Sequence, residues 1–380
     1  MRSTLCKNTD WGISKMKKHY DICVVGFWCG SNYGSLLNGY AVYCLLKKEF
    51  GKEVLMLQKP GLKANDTEIE EDHNIKFINK YYDSEDISPI MSYSQLLKLN
   101  EICDCFCSGS DQIWNYTLLF NENFYLPFVS DEKKLISFAT SFGHKYDKTP
   151  DEVKPRIKEY LQRYSAISVR EEFDVNILRD NYGLNSTLVF EPVFCIDKRY
   201  YQEIIDNTSF SLDSHYLLSY ILDPTPKKRE TILQYAKLTG FKIVNILSGN
   251  PSDWEKNREI LDLPGTLSSV GVEEFLKAFS NADFVITDSF HGTAFSIIFN
   301  KPFLSIGNYR RGYERFVDLL SRLKLKDRLV QNPQQIPLEE KYTMPIDCEI
   351  NQIIEREAKK TVEWLKNAVE QPKKSLRTLS

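Results

Sequence analysis

Short apolar runs alternate with stretches whose apolar positions recur every three or four residues, and this alternation fills most of the chain. DICVVGF (21–27), EVLMLQ (53–58), CDCFCSGS (103–110), KLISFATS (134–141), AISVRE (166–171) and STLVFEPV (186–193) are predicted strands. Between them, 36–51 (closed by Gly51), 94–102, 151–164 and 172–182 carry helical spacing. The second half repeats the style. YLLSYIL (216–222), KIVNILS (242–248), DFVITDS (283–289) and FLSIG (303–307) are predicted strands, and 228–240, 272–282, 290–300 and 313–323 predicted helices. A long helix over 349–369 is expected to pack back across the first domain. Residues 61–92 are polar and acidic, with EIEED at 68–72, and are expected to be an insertion or mobile loop. Residues 196–214 are polar and unpatterned, which places a domain boundary there. The chain divides into a frayed segment (1–20), an α/β domain (21–195), a linker (196–214), a second α/β domain (215–347) and a C-terminal helix and tail (348–380). The expected fold is two doubly wound, Rossmann-like α/β domains facing across a cleft.

Composition adds exclusions. With 42% hydrophobic and 27% charged residues over 380 positions, this is an ordinary soluble globular chain. A net charge of −3 gives no sequence-independent attraction to nucleic acid. Nine cysteines are scattered without the CxxC spacing of a zinc site, and no metal is expected. Cys103, Cys105 and Cys107 alternate along one strand and are expected to share one packed face. The first twenty residues hold no apolar signal core, and no stretch reaches the ~20 apolar residues of a membrane span. Free thiols without a signal peptide point to a reducing, cytoplasmic location, and Met16 is a candidate true start.

The chemistry concentrates in DFVITDSFHGTAFSIIFNKPF (283–303). A strand followed by a turn and an apolar helix aims unpaired amides at whatever lies above the sheet, so Ser289, Gly292 and Thr293 form a candidate anion site. His291 adds a titratable group there. The alternative is structural: His291 as a capping or packing residue, with Asp288 or Ser289 a plain N-cap. The loop over 26–35 has Gly26, Gly30 and Gly34 at a spacing that does not match GxGxxG. It is either a ligand loop, with Asn32 and Tyr33 offering polar groups, or a tight turn. In SGSDQIWN (108–115), Asp111 could accept from sugar hydroxyls, and Trp114 could stack on a sugar or be buried. TSFG (140–143) offers Ser141 at another strand end. Arg170, in SVRE, could fork onto phosphate or carboxylate. The alternative, a salt bridge to Glu171 or Glu172, is set aside because neighbours on a strand face opposite ways. Of Arg310, Arg311 and Arg315, one is expected to face the cleft and the others to be solvated. His19, His73, His144 and His215 are read as structural or surface residues, with His144 worth a mutant.

TDSFHGTAFSIIFNKPF resembles the C-terminal signature of the polysaccharide pyruvyl transferase family. GFWCGSNYGSLLNGYAV, FCSGSDQIWN, ISFATSFG, ISVREE and VFEPVFCID resemble its other motifs, in order, so the resemblance spans 21–316. It implies a two-domain architecture like that of GT-B glycosyltransferases. It also implies an enzyme that moves the enolpyruvyl unit of phosphoenolpyruvate onto a sugar of a cell-surface or capsular polysaccharide precursor. The product is a pyruvate ketal, with release of phosphate. Phosphoenolpyruvate is then a donor substrate, and no cofactor is needed. On this resemblance His291 and Arg170 are catalytic. Ser289, Gly292, Thr293 and Arg315 of the second domain, with Arg170 of the first, hold the donor. Asn32, Tyr33, Asp111 and Ser141 meet the acceptor on the first. Ser35 stands where the family often has an acidic residue, so this loop supplies no carboxylate base. A lipid-linked acceptor would bring the protein to the inner membrane face, and the tail residues Lys373, Lys374 and Arg377 suit that weakly. Two alternatives stay open: a nucleotide-sugar glycosyltransferase, and a non-catalytic sugar- or anion-binding protein.

Overall fold

The computed structural model describes residues 16–60, 72–212, 215–250, 253–267 and 270–373. Two parallel sheets account for the strands. The first joins β1 (Tyr20–Val25), β2 (Val54–Leu57), β3 (Cys103–Asp111), β4 (Lys134–Thr140), β5 (Ala166–Val169) and β6 (Thr187–Leu188) in the order β2-β1-β3-β4-β5-β6. The second joins β7 (Tyr216–Tyr220), β8 (Lys242–Ile246), β9 (Phe284–Thr287), β10 (Phe303–Ile306) and β11 (Leu329–Val330) in the order β11-β10-β9-β7-β8. Each order reverses once, between β1 and β3 and between β7 and β9. A doubly wound sheet opens a crevice for ligands at the carboxyl ends beside such a reversal.

Helix α1 (Tyr33–Tyr43) is apolar nearly all round, and every residue of it except Ser35 is buried. A helix of that kind needs protein on all sides, and both domains supply it. Tyr33 stacks on Phe275 of the second domain, with ring centres 4.6 Å apart, and its hydroxyl donates to the Val270 carbonyl at 2.6 Å. The largest apolar cluster accordingly runs through both halves, from Leu36 and Tyr40 to Phe275 and Phe295.

Several sequence expectations are corrected. Residues 61–71 lie outside the described residues, but 72–81 form a helix rather than a mobile loop, with Phe77 fully buried. Phe77, Ile78 and Tyr81 repeat at helical spacing, and the acidic residues ahead of them masked it. The linker contains a helix (Lys198–Asp206) that buries Tyr200, Tyr201, Ile204 and Ile205. The strand anticipated over 186–193 shrinks to Thr187–Leu188. Helix Trp254–Leu261 and strand β11 were not anticipated. Cys105 and Cys107 share a cluster, but Cys103, at the strand's first residue, packs with Cys23 in the other one. The C-terminal helix (Glu349–Glu370) lies on the first domain. Trp364 stacks near Phe138, Thr361 Oγ1 accepts from the Phe190 amide at 2.8 Å, and Lys134 Nζ donates to the Val369 carbonyl at 2.9 Å. Among the described residues no helix is long and apolar enough to cross a membrane. Residues 1–15, Lys374 and Arg377 lie outside the described residues.

Candidate active site between the domains

The carboxyl ends of the first sheet bring Asp111 (β3), Arg170 (just past β5) and Glu191 (past β6) together. The second domain lays two helices over them: α2 (Phe290–Ile298), with Phe290 and His291, and α3 (Tyr313–Arg322), with Arg315, Asp318 and Arg322. A small cleft opens here, lined by Arg170, Glu171, Glu191, Phe290, Arg315 and Arg322 among others.

Arg170 is 3% exposed, and each of its nitrogens meets a carboxylate. Nε donates to Glu171 at 2.9 Å, one terminal nitrogen to Glu191 at 2.7 Å, and the other to Asp111 at 2.8 Å. The Glu171 pair that sequence reasoning set aside therefore forms. β5 ends at Val169, so the alternation of a strand no longer governs residues 170 and 171. Arg170 is the hub of a buried acid cluster, with its fork committed to protein carboxylates.

Arg315 is different. It is 4% exposed, forms no ion pair among the described residues, and leaves Nε without a partner. Its remaining contacts are neutral: the Arg311 carbonyl, and the Gln112 side-chain oxygen at 3.0–3.1 Å once that amide is turned to face it. The guanidinium lies 4.8 Å from the centre of the Phe290 ring, and that of Arg170 lies 5.2 Å from the same ring. Burial, helped by the Arg170 charge, pushes Arg315 down to about 10. A buried cation without an anion is a vacancy for one. Arg311 instead pairs with Asp223 at 2.8 Å, and Arg310 is exposed.

Asp111 has a left-handed backbone (φ +78°), which an aspartate tolerates better than most residues. Burial opposes its charge. The charges of Arg170, His291 and Arg315, with a 2.8 Å hydrogen bond from Ser35 Oγ, outweigh burial and hold Asp111 well below the usual carboxylate range. Ser35 therefore touches the acid cluster as a donor. Asp174, fully buried, is driven well above the usual range by burial, with the neighbouring Glu171 charge adding to the effect.

His291 sits in the first turn of α2, 7% exposed, with Nε2 unpartnered and 3.6 Å from Glu191 Oε1. Its ring lies against Gly34 of α1. A Cβ at that glycine would fall 2.2 Å from His291 Nδ1. Gly34→Ala is therefore expected to displace the imidazole and cut turnover on the order of 10²-fold, despite alanine's better helix propensity. Unchanged turnover and melting temperature would show that this close approach does no work.

The other sequence-predicted residues fall into place as follows. Ser289 is the N-cap: its Oγ accepts from the Gly292 amide at 3.2 Å and its carbonyl from the Thr293 amide at 2.9 Å. Those two amides are thus engaged at the helix start, and the Thr293 hydroxyl is shared with Ser289 O and Ser305. Asp288 is not a cap; it pairs with Lys228 at 2.7 Å. Asn32 caps α1 by accepting from the Ser35 amide and is exposed. Tyr33 is turned into the interdomain core. Ser141 is fully buried, accepting from the Gly143 amide at 2.8 Å. Trp114 is buried and stacked on Tyr125. His19 and His215 are surface partners of Asp104 and Asp283, and His144 meets Thr117 at 3.1 Å. The His73 side chain lies outside the described residues. Glu191, Asn38 and Asp318 were not singled out from sequence, and Glu171 only as a rejected partner of Arg170. For Glu191, the one signal was a lone carboxylate between Phe190 and Pro192 at a strand end.

Burial pushes Asp318 up to about 6 from an ordinary 3.8, while its carboxylate accepts from the Glu172 amide. A raised acid binds its proton more tightly when folded. The stability this proton confers is complete below about pH 4 and is lost as pH rises through about 6. Asp318→Asn keeps an acceptor oxygen and should be more stable than the parent at pH 7.5, on the order of 1–3 kcal/mol, with the gap closing at pH 4. Denaturant melts at the two pH values check this; an equal gap at both would be contrary.

The polysaccharide pyruvyl transferase family model matches residues 32–309. No curated protein matches the chain. Among solved structures, the UDP-GlcNAc 2-epimerase of Neisseria meningitidis bound to UDP-GlcNAc is similar with a TM-score of 0.55 and 12% identity, over 93% of this chain and 94% of that one. The S. aureus MnaA–UDP co-structure is similar at 0.53 and 13%, over 92% and 98%. The wall teichoic acid polymerase TagF is similar at 0.49 and 13%, over 94% and 89%. At such identities the likeness is one of fold, a two-domain GT-B-like architecture. Matched by its family model across both domains, the chain belongs to the polysaccharide pyruvyl transferase family.

Proposed function

We propose that the protein transfers the enolpyruvyl unit of phosphoenolpyruvate to a sugar of a polysaccharide precursor, closing a pyruvate ketal across two hydroxyls and releasing inorganic phosphate. The observation that carries this reading is Arg315: a buried arginine without an ion pair among the described residues, in the same interdomain cluster as the buried His291. A compact anion with both phosphate and carboxylate suits that vacancy. Family membership supports the same reading.

In the proposed reaction His291 gives a proton to the methylene carbon, leaving C2 electrophilic. A sugar oxygen bonds to C2, and its proton returns to His291. A second hydroxyl attacks C2, the C2–O bond to phosphate breaks with its electron pair going to phosphate, and the proton of that hydroxyl leaves with the phosphate. Arg315 holds the donor's anionic groups, the Arg170 cluster frames the centre, and Asp111, with Ser35 and Asn32 nearby, faces the acceptor. A lipid-linked acceptor fits this scheme as well as a free one.

The rival is nucleotide-sugar transfer. A diphosphate would be expected at the second sheet's reversal, between β7 and β9. There Asp288, fully buried, accepts from the Leu222 and Asp223 amides and pairs with Lys228, while Asp223 pairs with Arg311. Carboxylates already hold the donors a diphosphate would need, which argues against this rival. Phosphoenolpyruvate at a hundredfold excess over Kd should stabilise the fold by about 2.7 kcal/mol, read as a raised melting temperature. UDP- and GDP-sugars should leave it unmoved. The reverse pattern would promote the rival.

A further inference from the structure

Glu191 carries a chemical role that the reaction scheme leaves unassigned. It is 2% exposed and held on both oxygens. Oε2 accepts from Arg170 at 2.7 Å, and Oε1 accepts from Asn38 Nδ2 at 2.5 Å. Asn38 cannot turn away, because its own oxygen accepts from the Ser110 hydroxyl. The carboxylate is thus locked by three segments distant in sequence. Oε1 faces His291 Nε2 at 3.6 Å, and that nitrogen has no other partner. Closing the gap by roughly half an ångström would make a hydrogen bond, and sites of this kind tighten when substrate binds.

A carboxylate only accepts, so a ring nitrogen bonded to it carries the hydrogen. The partner of one imidazole nitrogen thereby decides the state of the other. On the far side of the ring, Nδ1 lies against Gly34, where only a residue without a Cβ leaves room. The carboxylates facing the ring are Glu191 and Asp111, while Arg170 and Arg315 lie against the adjoining Phe290 ring. Among the carboxylates, Glu191 is the one paired with it.

We infer that Glu191 is the positioning carboxylate of His291: it keeps the ring hydrogen on Nε2 and leaves Nδ1 as the nitrogen that trades a proton with the reacting groups. The assignment of the ring hydrogen stands on geometry alone. The role of Nδ1 rests on the pyruvyl-transfer reading. There, the imidazolium gives its Nδ1 proton to the methylene carbon as the C–H bond forms, leaving a neutral ring hydrogenated at Nε2, and Nδ1 then takes the proton of the attacking hydroxyl as the C2–O bond forms.

The test uses the full chain labelled with 15N-histidine, whose ring-nitrogen shifts identify the tautomer. At a pH high enough that the ring is neutral, the parent should show His291 hydrogenated at Nε2 and bare at Nδ1. In Glu191→Gln, and in Asn38→Ala, which frees Glu191 without touching its Arg170 pair, that preference should be lost. Turnover should fall tenfold or more in both, with KM for phosphoenolpyruvate within threefold. A parent hydrogenated at Nδ1, or a tautomer unmoved in both variants, overturns the inference. If the tautomer responds as described but no phosphate is released from phosphoenolpyruvate with any sugar acceptor, the positioning role stands and pyruvyl transfer falls.

Discussion

Arg170→Met should cost the fold at least about 3–5 kcal/mol, the usual penalty for removing one partner of a buried ion pair, and should leave little folded protein at 37 °C. The side chains are similar in length, so the loss is electrostatic rather than a cavity. Asp111, Glu171 and Glu191, each no more than 5% exposed, would lose the cation that holds them. Arg315 has no ion pair with them and does not take its place. The stranded carboxylates would escape by binding protons, so the deficit against the parent should be larger at pH 7.5 than at pH 5. Arg170→Lys should follow the same direction, since one ammonium cannot serve three carboxylates placed around a planar fork. Thermal melts at both pH values decide the matter. A melting temperature within a few degrees of the parent at pH 7.5 would show that the cluster relaxes without its hub.

His291→Ala should lower turnover by roughly 10²–10⁴, the contribution of a general acid or base, while the protein remains folded. The Ser289 cap, which starts α2, does not depend on the imidazole. Phosphate release from phosphoenolpyruvate with a competent acceptor is the measurement, and circular dichroism monitors the fold. A loss under tenfold would return His291 to packing between α2 and Gly34.

The alternation of strands and helices was legible because each element carries its own period, and the run 283–303 was legible because strand, cap and helix are contiguous. The helices at 72–81 and 198–206 were hidden because flanking charge and polarity diluted a true helical stripe. Arg170 misleads on a local rule: strand alternation carried to residues 170 and 171 fails because the strand ends at Val169. Tyr33 looked like a ligand residue because its hydroxyl sits in a glycine-rich loop. Its actual partner, Val270, is 237 positions away. Glu191 leaves only one faint mark in the sequence, a lone carboxylate inside VFEPV. Its meaning comes from Asn38, Arg170 and His291 converging on it, and no short window contains that meeting.

The interdomain position of α1 also limits how substrates can reach the site. Swinging the halves apart would pull Tyr33 off Phe275 and Tyr220 and wet the apolar sides of Leu36 and Tyr40. At about 1.5–3 kcal/mol for each large apolar side chain exposed, a wide opening would consume most of the ~5–15 kcal/mol stability of an ordinary domain. The halves are therefore fused along one seam, and traffic falls to the loops at the rim: 26–32, 141–147 and 307–312. There Gly312 already touches the Gly143 carbonyl closely enough that a Cβ would stand 2.5 Å from it. If the proposed pyruvyl transfer holds, loop-scale movements of this kind would admit a compact donor through a narrow door and would leave the body of a long acceptor outside.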